Sequence, residues 1–322
     1  MNSAVPQEPT IVFAAVNSTN RARVVSKAKV DAAMCTFQEM RRRGKGHDSI
    51  LEELHEHGLR TYLDSGVFQF VRRSGTTRIK VAGGNLKPVT MEEFTAYAKD
   101  YLSYLKVYGD NWDHIVELDV DEIFPDGEEI AAYWRKRLYK VVGEKLMPAW
   151  HVTRGYSGWS DLLPRYPYVS IGSDKQGRAV GDMKAASAGN AGLPPRELRH
   201  LIDLAHAADV GVHILGDTRH DIFLKAGADS GDSTAWLVGG RYGRYRMGRG
   251  SIFYANNAKM SGADYARVRQ FVVMMQERFG IDMDKVKTGN QQFYVAALLL
   301  LAGCATPQIS ALAASLTKVV AG

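Results

Sequence analysis

Residues 63–69 read Leu-Asp-Ser-Gly-Val-Phe-Gln, and residues 228–236 read Ala-Asp-Ser-Gly-Asp-Ser-Thr-Ala-Trp. Each stretch ends a short run typical of a β-strand and passes into Ser-Gly or Gly-Asp-Ser, which favour turns. The turns place the carboxylates of Asp64 and Asp232 at strand ends rather than along a sheet face. Because α/β enzymes keep their reactive groups at such strand ends, the two stretches favour an α/β fold with its chemistry at one rim.

Short β-branched or aromatic runs alternate with helical stretches along the chain, which is the pattern of repeated βα units on a parallel sheet. Eight strands are predicted, and eight closes a (β/α)8 barrel. The predicted strands are Thr10–Val16, Thr61–Leu63, His114–Leu118, Met147–Val152, Tyr168–Ile171, Gly211–Leu215, Ala228–Ser230 and Ser251–Ala255. The predicted helices are Arg23–Arg43, Met91–Val107, Asp126–Val142, Trp159–Leu163, Pro195–Ala208 and Thr218–Ala226.

The domain organisation follows from where this alternation stops. Residues 1–260 are expected to form the TIM-barrel-like α/β domain, and the sequence is helical in character from residue 261 onward. We therefore expect a helical C-terminal extension over residues 261–322, packed on the barrel. Residues 73–87 and 173–193 are predicted loops, either functional or plain surface decoration.

The composition is that of an ordinary globular protein, and a reducing cytoplasm is its expected location. Its 322 residues carry a formal net charge of +6, a moderate basic excess that is compatible with phosphate backbones or anionic ligands. Cys35 and Cys304 are too few for a disulfide framework. The start of the chain shows no export signal, and the apolar run at 295–303 is too short to span a membrane.

Four segments resemble, in the same order, the motifs of the tRNA-guanine transglycosylases. Residues 64–69 resemble that family's Asp-Ser-Gly-Gly-Phe/Tyr-Gln segment, and residues 118–119 resemble the strand end whose aspartate recognises a purine-like base. Residues 171–173 resemble its base-binding Gly-Gly turn, and residues 231–233 resemble the segment with its nucleophilic aspartate. The resemblance spans about residues 10–251, and its specificity lies in the shared order of short motifs.

The chain also departs from that family. It has no Cys-x-Cys-x-x-Cys group, so neither a zinc ion nor a zinc subdomain is expected. Val67 replaces a glycine, His151 stands where a glutamine is usual, and Ser173 replaces another glycine. These three replacements bear on the identity of the base. The missing zinc group, the compact length and the Gly-Asp-Ser-Thr-Ala-Trp form at 231–236 are most similar to the divergent DNA-guanine transglycosylases of bacteriophages and bacterial DNA-modification clusters. The resemblance implies exchange of guanine in DNA for a 7-deazaguanine base such as 7-cyano-7-deazaguanine. The expected location is the cytoplasm, which would be the host's cytoplasm if the protein is encoded by a phage.

The resemblance also implies a role for each matching residue. Asp232 would be the nucleophile that forms a covalent intermediate, and Asp64 would be the general acid and base. Phe68 would stack on the base, and Asp119 would accept hydrogen bonds from it. The residues assigned to base binding are Phe68, Gln69, Asp119, His151, Gly172, Ser173 and His213. No cofactor is expected, and the second substrate is the free 7-deazaguanine base.

Residues 239–250 combine arginine, tyrosine and glycine directly after the proposed nucleophile. Arginines pair with phosphates, and the residues predicted to hold DNA are Arg241, Arg244, Arg246 and Arg249. A solvated basic loop is the alternative interpretation. Because a duplex hides the bond to be broken, the target base must be flipped out or lie in single-stranded DNA.

Other interpretations remain open at this point. Asp64 and Asp232 are also residues that cap turns and helix N-termini, and both histidines are also suited to hydrogen bonding behind the site. At the level of function, the alternatives are the same reaction on tRNA, a non-catalytic nucleic-acid-binding partner subunit, and a barrel enzyme for a small anionic metabolite. The sequence leaves open whether the chain forms a homodimer.

Overall fold

A sheet of nine short parallel strands carries the fold. The computed structural model describes residues 9–43, 47–67, 70, 89–121, 123–172, 193, 195–216, 226–234, 236–237, 244–247, 250–253, 269, 272–277, 280–283, 286 and 294–297. The strands are β1 (Thr10–Phe13), β2 (Ala32–Thr36), β3 (Arg60–Asp64), β4 (His114–Val116), β5 (Leu146–Met147), β6 (Ala149–Trp150), β7 (Tyr168–Ile171), β8 (Gly211–Ile214) and β9 (Ser230–Ser233). Their order in the sheet is β5-β4-β3-β2-β1-β9-β8-β7-β6.

Pro148 explains why nine strands make an eight-stranded barrel. It lies between β5, which pairs with β4, and β6, which pairs with β7. Proline has no N–H to give to a ladder, but its carbonyl accepts a hydrogen bond of 2.8 Å from the Ser170 N–H. The two ends of the sheet are therefore one continuous segment, 146–150, and the sheet closes on itself. The predicted (β/α)8 fold class is confirmed by this topology.

Helices follow most of the strands, as βα units require. They are α1 (Thr19–Lys27), α2 (Phe37–Arg43), α3 (Asp48–Glu56), α4 (Met91–Tyr108), α5 (Gly127–Val142), α6 (Gly155–Leu162) and α7 (Pro195–Ala207). The start of α4 is set by a capping box, in which the Thr90 hydroxyl accepts from the Glu93 N–H and the Glu93 carboxylate accepts from the Thr90 N–H. The helices predicted at 91–107, 126–142 and 195–208 agree with the structure to within one residue at each end.

Alternate residues of the strands fill the barrel. A buried cluster joins residues of five neighbouring strands, namely Val12, Ala14, Ala32, Met34, Tyr62, Val116 and Met147. Because side chains alternate between the two faces of a strand, this cluster leaves the residues at the strand ends to form the rim.

The predicted helix over Arg23–Arg43 is wrong, because strand β2 interrupts it. Residue Lys29 has a positive φ of 55°, a conformation that a helix cannot continue through, and the chain then enters β2. Ala32, Ala33 and Met34 are good helix formers by propensity, but they are small or flexible enough to be buried in the barrel. Packing against β1 and β3 overrides their intrinsic preference.

The predicted barrel strand over Ser251–Ala255 is also wrong. The structure has β11 (Gly250–Phe253) there, and it pairs in an antiparallel manner with β10 (Arg244–Met247) in a separate two-stranded sheet. Only two residues join β10 to β11, and so short a connection favours a local hairpin. The predicted total of eight was right because β2 takes the place of this strand.

The chain divides into two compact units. One comprises residues 1–17 and 31–233 and holds the barrel, and the other comprises residues 18–30 and 234–322 and holds α1 and the β10–β11 hairpin. The predicted boundary near residue 260 stays a prediction, because most of residues 261–322 lie outside the described part. Within it, residues 272–277 and 294–297 are helical. None of the described helices has the length and hydropathy needed to cross a bilayer.

Candidate active site

Asp232 lies near the C-terminal end of β9, with its carboxylate held in place by two donors. The Gly216 N–H, just after β8, donates to Asp232 Oδ1 at 2.6 Å, and His213 Nε2 lies 3.3 Å from the same oxygen. The side chain is 10% exposed. Both hydrogen bonds from the described residues end on Oδ1, so the carboxylate is fixed through one oxygen while it faces the rim of the barrel.

His213 lies next to Asp232, and its predicted contact with the base stays a prediction. Its side chain is fully buried and connects Asp232 to the interior of the barrel. His213 Nδ1 lies 2.6 Å from Ser230 Oγ, and Ser230 Oγ lies 2.7 Å from the Tyr168 hydroxyl. The alternative interpretation, that this histidine hydrogen-bonds behind the site, describes its contacts.

Asp229 shows that the two aspartates of the second stretch have separate tasks. It precedes β9, and its Oδ2 accepts from the Val212 N–H at 2.7 Å and lies 2.9 Å from His206 Nε2. These contacts join the beginnings of two strands, at the end of the barrel opposite to Asp232. Of the two carboxylates, Asp232 is therefore the one that faces the C-terminal rim.

Asp64 ends β3 and is half-buried at the same rim. Its Oδ1 accepts from the Gly66 N–H at 3.1 Å, which is the turn bond that the sequence also allowed. Gly66 has a positive φ of 75°, and a Cβ there would lie 2.9 Å from both the Thr36 methyl group and the Tyr97 hydroxyl. The Ser-Gly after Asp64 thus fixes the strand exit and the direction of the carboxylate.

Asp119 and His151, at the ends of β4 and β6, form a direct pair. His151 Nε2 lies 2.6 Å from Asp119 Oδ1, and Asp119 is 20% exposed while His151 is 5% exposed. Burial alone would lower the pKa of His151, but the Asp119 carboxylate and its hydrogen bond outweigh burial and raise this pKa to about 9. Asp119 is therefore the member that faces the rim, with a cationic imidazole behind it.

Gly172 follows β7, and the His151 ring packs against its backbone. A Cβ at this position would lie 2.5 Å from the imidazole, so any side chain here would displace His151 from Asp119. The Gly172 N–H donates to the Trp150 carbonyl at 2.8 Å within the sheet. Base reading by Gly172, as the sequence predicts, would therefore fall to its carbonyl.

Two acidic residues that the sequence analysis did not single out flank Asp119. Glu117 is fully buried and binds the Arg135 guanidinium at 2.5 and 3.0 Å, while Asp121 binds Arg154 at 2.8 and 2.5 Å. The alternate spacing Glu-x-Asp-x-Asp at 117–121 was the signal that three carboxylates follow one strand. Their partners are 18 and 33 residues away, which no local pattern reveals.

The same cluster is the candidate for a metal ion. Asp119, Asp121 and His151 each offer one ligand atom, and these atoms lie within 4.8 Å of one another. Both oxygens of Asp121 already bind Arg154, and His151 already bonds to Asp119. Because cationic side chains neutralise these acids, the arrangement is that of a buried ion network rather than of a cation centre.

Several predicted residues lie outside what the structure describes. These are Phe68, Gln69, Ser173, Arg241 and Arg249. Arg244 and Arg246 lie on β10, which the structure describes as backbone. The structure thus brings Asp64, Asp119, Gly172 and Asp232 to one rim, with His151 and His213 behind two of them.

Comparison with known proteins yields barrel enzymes at low similarity. No protein-family model matches the sequence, and no curated protein matches it. Among solved structures, xylanase B from Clostridium stercorarium F9 is 12% identical with a TM-score of 0.42, covering 72% of this chain and 89% of its own. A beta-mannanase from Alicyclobacillus acidocaldarius is 12% identical with a TM-score of 0.36, covering 64% and 69%. At these values the fold rests on the chain's own strand order, and the reaction has to be argued from the site.

Proposed function

We propose that this chain is a DNA-guanine transglycosylase, which exchanges guanine in DNA for a 7-deazaguanine base through a covalent intermediate on Asp232. The observation that carries the proposal is the fixed carboxylate of Asp232 at the C-terminal rim, with Oδ1 bound by the Gly216 N–H at 2.6 Å. A carboxylate held through one oxygen is oriented before the reaction to attack with the other. The motif order described above supports a nucleic-acid base as the leaving group.

The proposed reaction has two displacements at the sugar C1′. Asp232 Oδ2 attacks C1′, the bond from C1′ to the guanine nitrogen breaks, and its electron pair leaves with the base, which takes a proton from Asp64. Asp64 then removes a proton from the incoming 7-deazaguanine, whose nitrogen attacks C1′ and releases Asp232. The sugar passes through oxocarbenium-like states that the carboxylate stabilises, as in retaining glycosidases. Two inversions leave the configuration at C1′ unchanged.

The pair of Asp119 and His151 supports a guanine-like base as the substrate. Guanine and 7-deazaguanine both present a ring N–H beside an amino group, and two such donors suit a carboxylate at the rim. The imidazole lies 2.6 Å behind Asp119, and the raised pKa of His151 makes it a cationic hydrogen-bond partner for that carboxylate. Asp119 would therefore accept from the base, while His151 holds Asp119 in place.

Release of labelled guanine tests the proposal. Purified protein is given DNA or tRNA containing radiolabelled guanine, together with 7-cyano-7-deazaguanine, and free guanine is measured. We expect release from DNA, which Asp232→Asn lowers by about 10³-fold or more, since a covalent nucleophile has no substitute. Asp64→Asn should slow release by about 10² to 10⁴-fold while DNA binding persists.

Asp229→Asn is the matched control, because the same change three residues earlier meets a different set of contacts. It should keep the rate of guanine release. Release from tRNA alone would favour the tRNA reaction, and DNA binding without release would favour a non-catalytic subunit. Undiminished release by Asp232→Asn would contradict the assignment of the nucleophile.

A further inference from the structure

A row of four hydrogen-bonded polar side chains runs from Asp232 at the rim into the interior of the barrel. Asp232 Oδ1 lies 3.3 Å from His213 Nε2, His213 Nδ1 lies 2.6 Å from Ser230 Oγ, and Ser230 Oγ lies 2.7 Å from the Tyr168 hydroxyl. His213 and Ser230 are both fully buried. The Tyr62 ring lies 5.5 Å from the His213 ring and confines it. The proposed chemistry uses only Asp232, the outermost member of this row.

The donor and acceptor capacities of these groups give the hydrogen bonds of the row one direction. An ionised carboxylate only accepts, so the proton of a neutral His213 has to be on Nε2 if it is to bond to Asp232. His213 Nδ1 then accepts from the Ser230 hydroxyl, and Ser230 Oγ accepts from the Tyr168 hydroxyl. Burial raises the pKa of Tyr168 well above its usual range, so this phenol keeps the proton that it donates.

The order of the residues in this row distinguishes it from the Ser-His-Asp triad of an enzyme with a serine nucleophile. In such a triad the serine meets the substrate and the aspartate lies behind the histidine. Here the serine is fully buried and the aspartate is at the rim, so the O–H and N–H groups of the row donate in the direction of the carboxylate. The serine can serve only to set the histidine.

We infer that His213 is a positioning residue for Asp232, and that the Asp232 carboxylate at Nε2 and the Ser230 hydroxyl at Nδ1 together favour the tautomer that donates from Nε2. The inference rests on the proposed function for its effect on catalysis, but the tautomer itself is a property of the free protein. With Oδ1 held by both the Gly216 N–H and His213, rotation of the carboxylate is prevented and Oδ2 keeps its direction. Loss of the Ser230 hydroxyl would let the imidazole place its proton on Nδ1 and turn a lone pair toward Asp232.

Nitrogen NMR of histidine-labelled full-length protein reads the tautomer directly, because protonated and unprotonated ring nitrogens differ strongly in chemical shift. His213→Gln identifies the His213 signals by their disappearance. We expect the Nε2–H tautomer in the unmodified protein and a smaller share of it in Ser230→Ala, where Asp232 alone still favours it. An Nδ1–H tautomer, or one that Ser230→Ala leaves unchanged, would overturn the inference, whatever the protein's activity.

The kinetic arm uses the guanine-release assay. Ser230→Ala should lower kcat by about tenfold with KM unchanged, because orientation of the nucleophile is lost while base binding is kept. Tyr168→Phe should have a smaller effect, since Ser230 can still donate to His213. Ser170→Ala is the control, being an equally buried barrel serine whose hydroxyl donates to the Pro148 carbonyl, and it should keep kcat.

The two arms separate failure of the inference from failure of the proposed function. An unmodified protein that releases no guanine from either nucleic acid would contradict the proposed function, while the NMR result would still decide the role of Ser230. If guanine is released and Ser230→Ala retains the full kcat, the inference is overturned and the proposed function stands.

Discussion

At the scale of single residues, His151 places a positive charge behind Asp119, the candidate base-binding aspartate. Its imidazole is almost fully buried, which opposes a charge, yet the contact of 2.6 Å with Asp119 raises its pKa to about 9. A pKa raised on folding stabilises the folded state through proton uptake. The Asp119 carboxylate thereby has a fixed cationic partner.

This pair predicts a pH dependence of stability. The stabilisation by protonated His151 should be fully present below about pH 6.5, the ordinary pKa of histidine, and should be lost as pH rises through about 9. The free energy of unfolding should therefore exceed that of His151→Asn by an amount that shrinks over this range, on the order of 1 to 3 kcal/mol. Urea unfolding of both proteins at several pH values measures the difference. A difference that stays constant with pH would show that His151 is neutral in the fold.

Residue types at strand ends could be predicted from the sequence, but their contacts could not. Ser-Gly and Gly-Asp-Ser, which mark an exit from a sheet, predict strand ends at Asp64 and Asp232, and the strand predicted over His114–Leu118 places Asp119 at its end. The bond from His213 to Asp232 joins neighbouring strands whose pairing is set by the whole barrel. No pattern in the chain shows that His213 is buried behind that carboxylate.

At the scale of elements, Glu117 ties four parts of the barrel together. From the end of β4 it binds Arg135 on α5, lies 3.7 Å from Arg154, and accepts from the Ala149 N–H of β6 at 2.8 Å. A charge buried with such partners is costly to remove, because the partners are left uncompensated. The segment that closes the barrel depends on this one side chain.

Two matched substitutions test the role of Glu117. Glu117→Gln should lower the free energy of unfolding by about 3 to 5 kcal/mol, because Arg135 loses its counter-charge and Arg154 loses one of its two in a buried place. Asp100→Asn breaks the exposed pair of Arg41 and Asp100, whose atoms are 2.6 Å apart, and should cost less than about 1 kcal/mol. Denaturant unfolding measures both. Equal costs would mean that Glu117 is no more important than a surface ion pair.

Element prediction failed where tertiary packing opposed local preference. β2 is built from Ala32, Ala33 and Met34, which favour helices in isolation, and only its place between β1 and β3 makes it a strand. The run at 251–255 has strand character, but it joins the nearest strand in sequence instead of the barrel. Helices with clear start signals, such as α4 with its capping box, were predicted almost to the residue.

At the scale of the whole molecule, the net charge of +6 is compatible with the proposed contact with nucleic acid. Binding to DNA should weaken as salt rises, because phosphate contacts release counterions. Replacing Arg241, Arg244, Arg246 and Arg249 with alanine should reduce the slope of log affinity against log salt by about 1 for each phosphate contact that is lost. Replacing the same four with lysine keeps the charge and should preserve the slope. An unchanged slope in the alanine variant would leave these arginines as a solvated loop.

The polymer, the reaction and the nucleophile can be tested together. Mass spectrometry of nucleosides from DNA and tRNA of cells that express the protein, supplied with 7-deazaguanine precursors, tests all three in one measurement. We expect a 7-deazaguanine deoxynucleoside in DNA, present with Asp229→Asn and absent with Asp232→Asn. A modified deoxynucleoside that persists in Asp232→Asn, or modification confined to tRNA, would contradict this expectation.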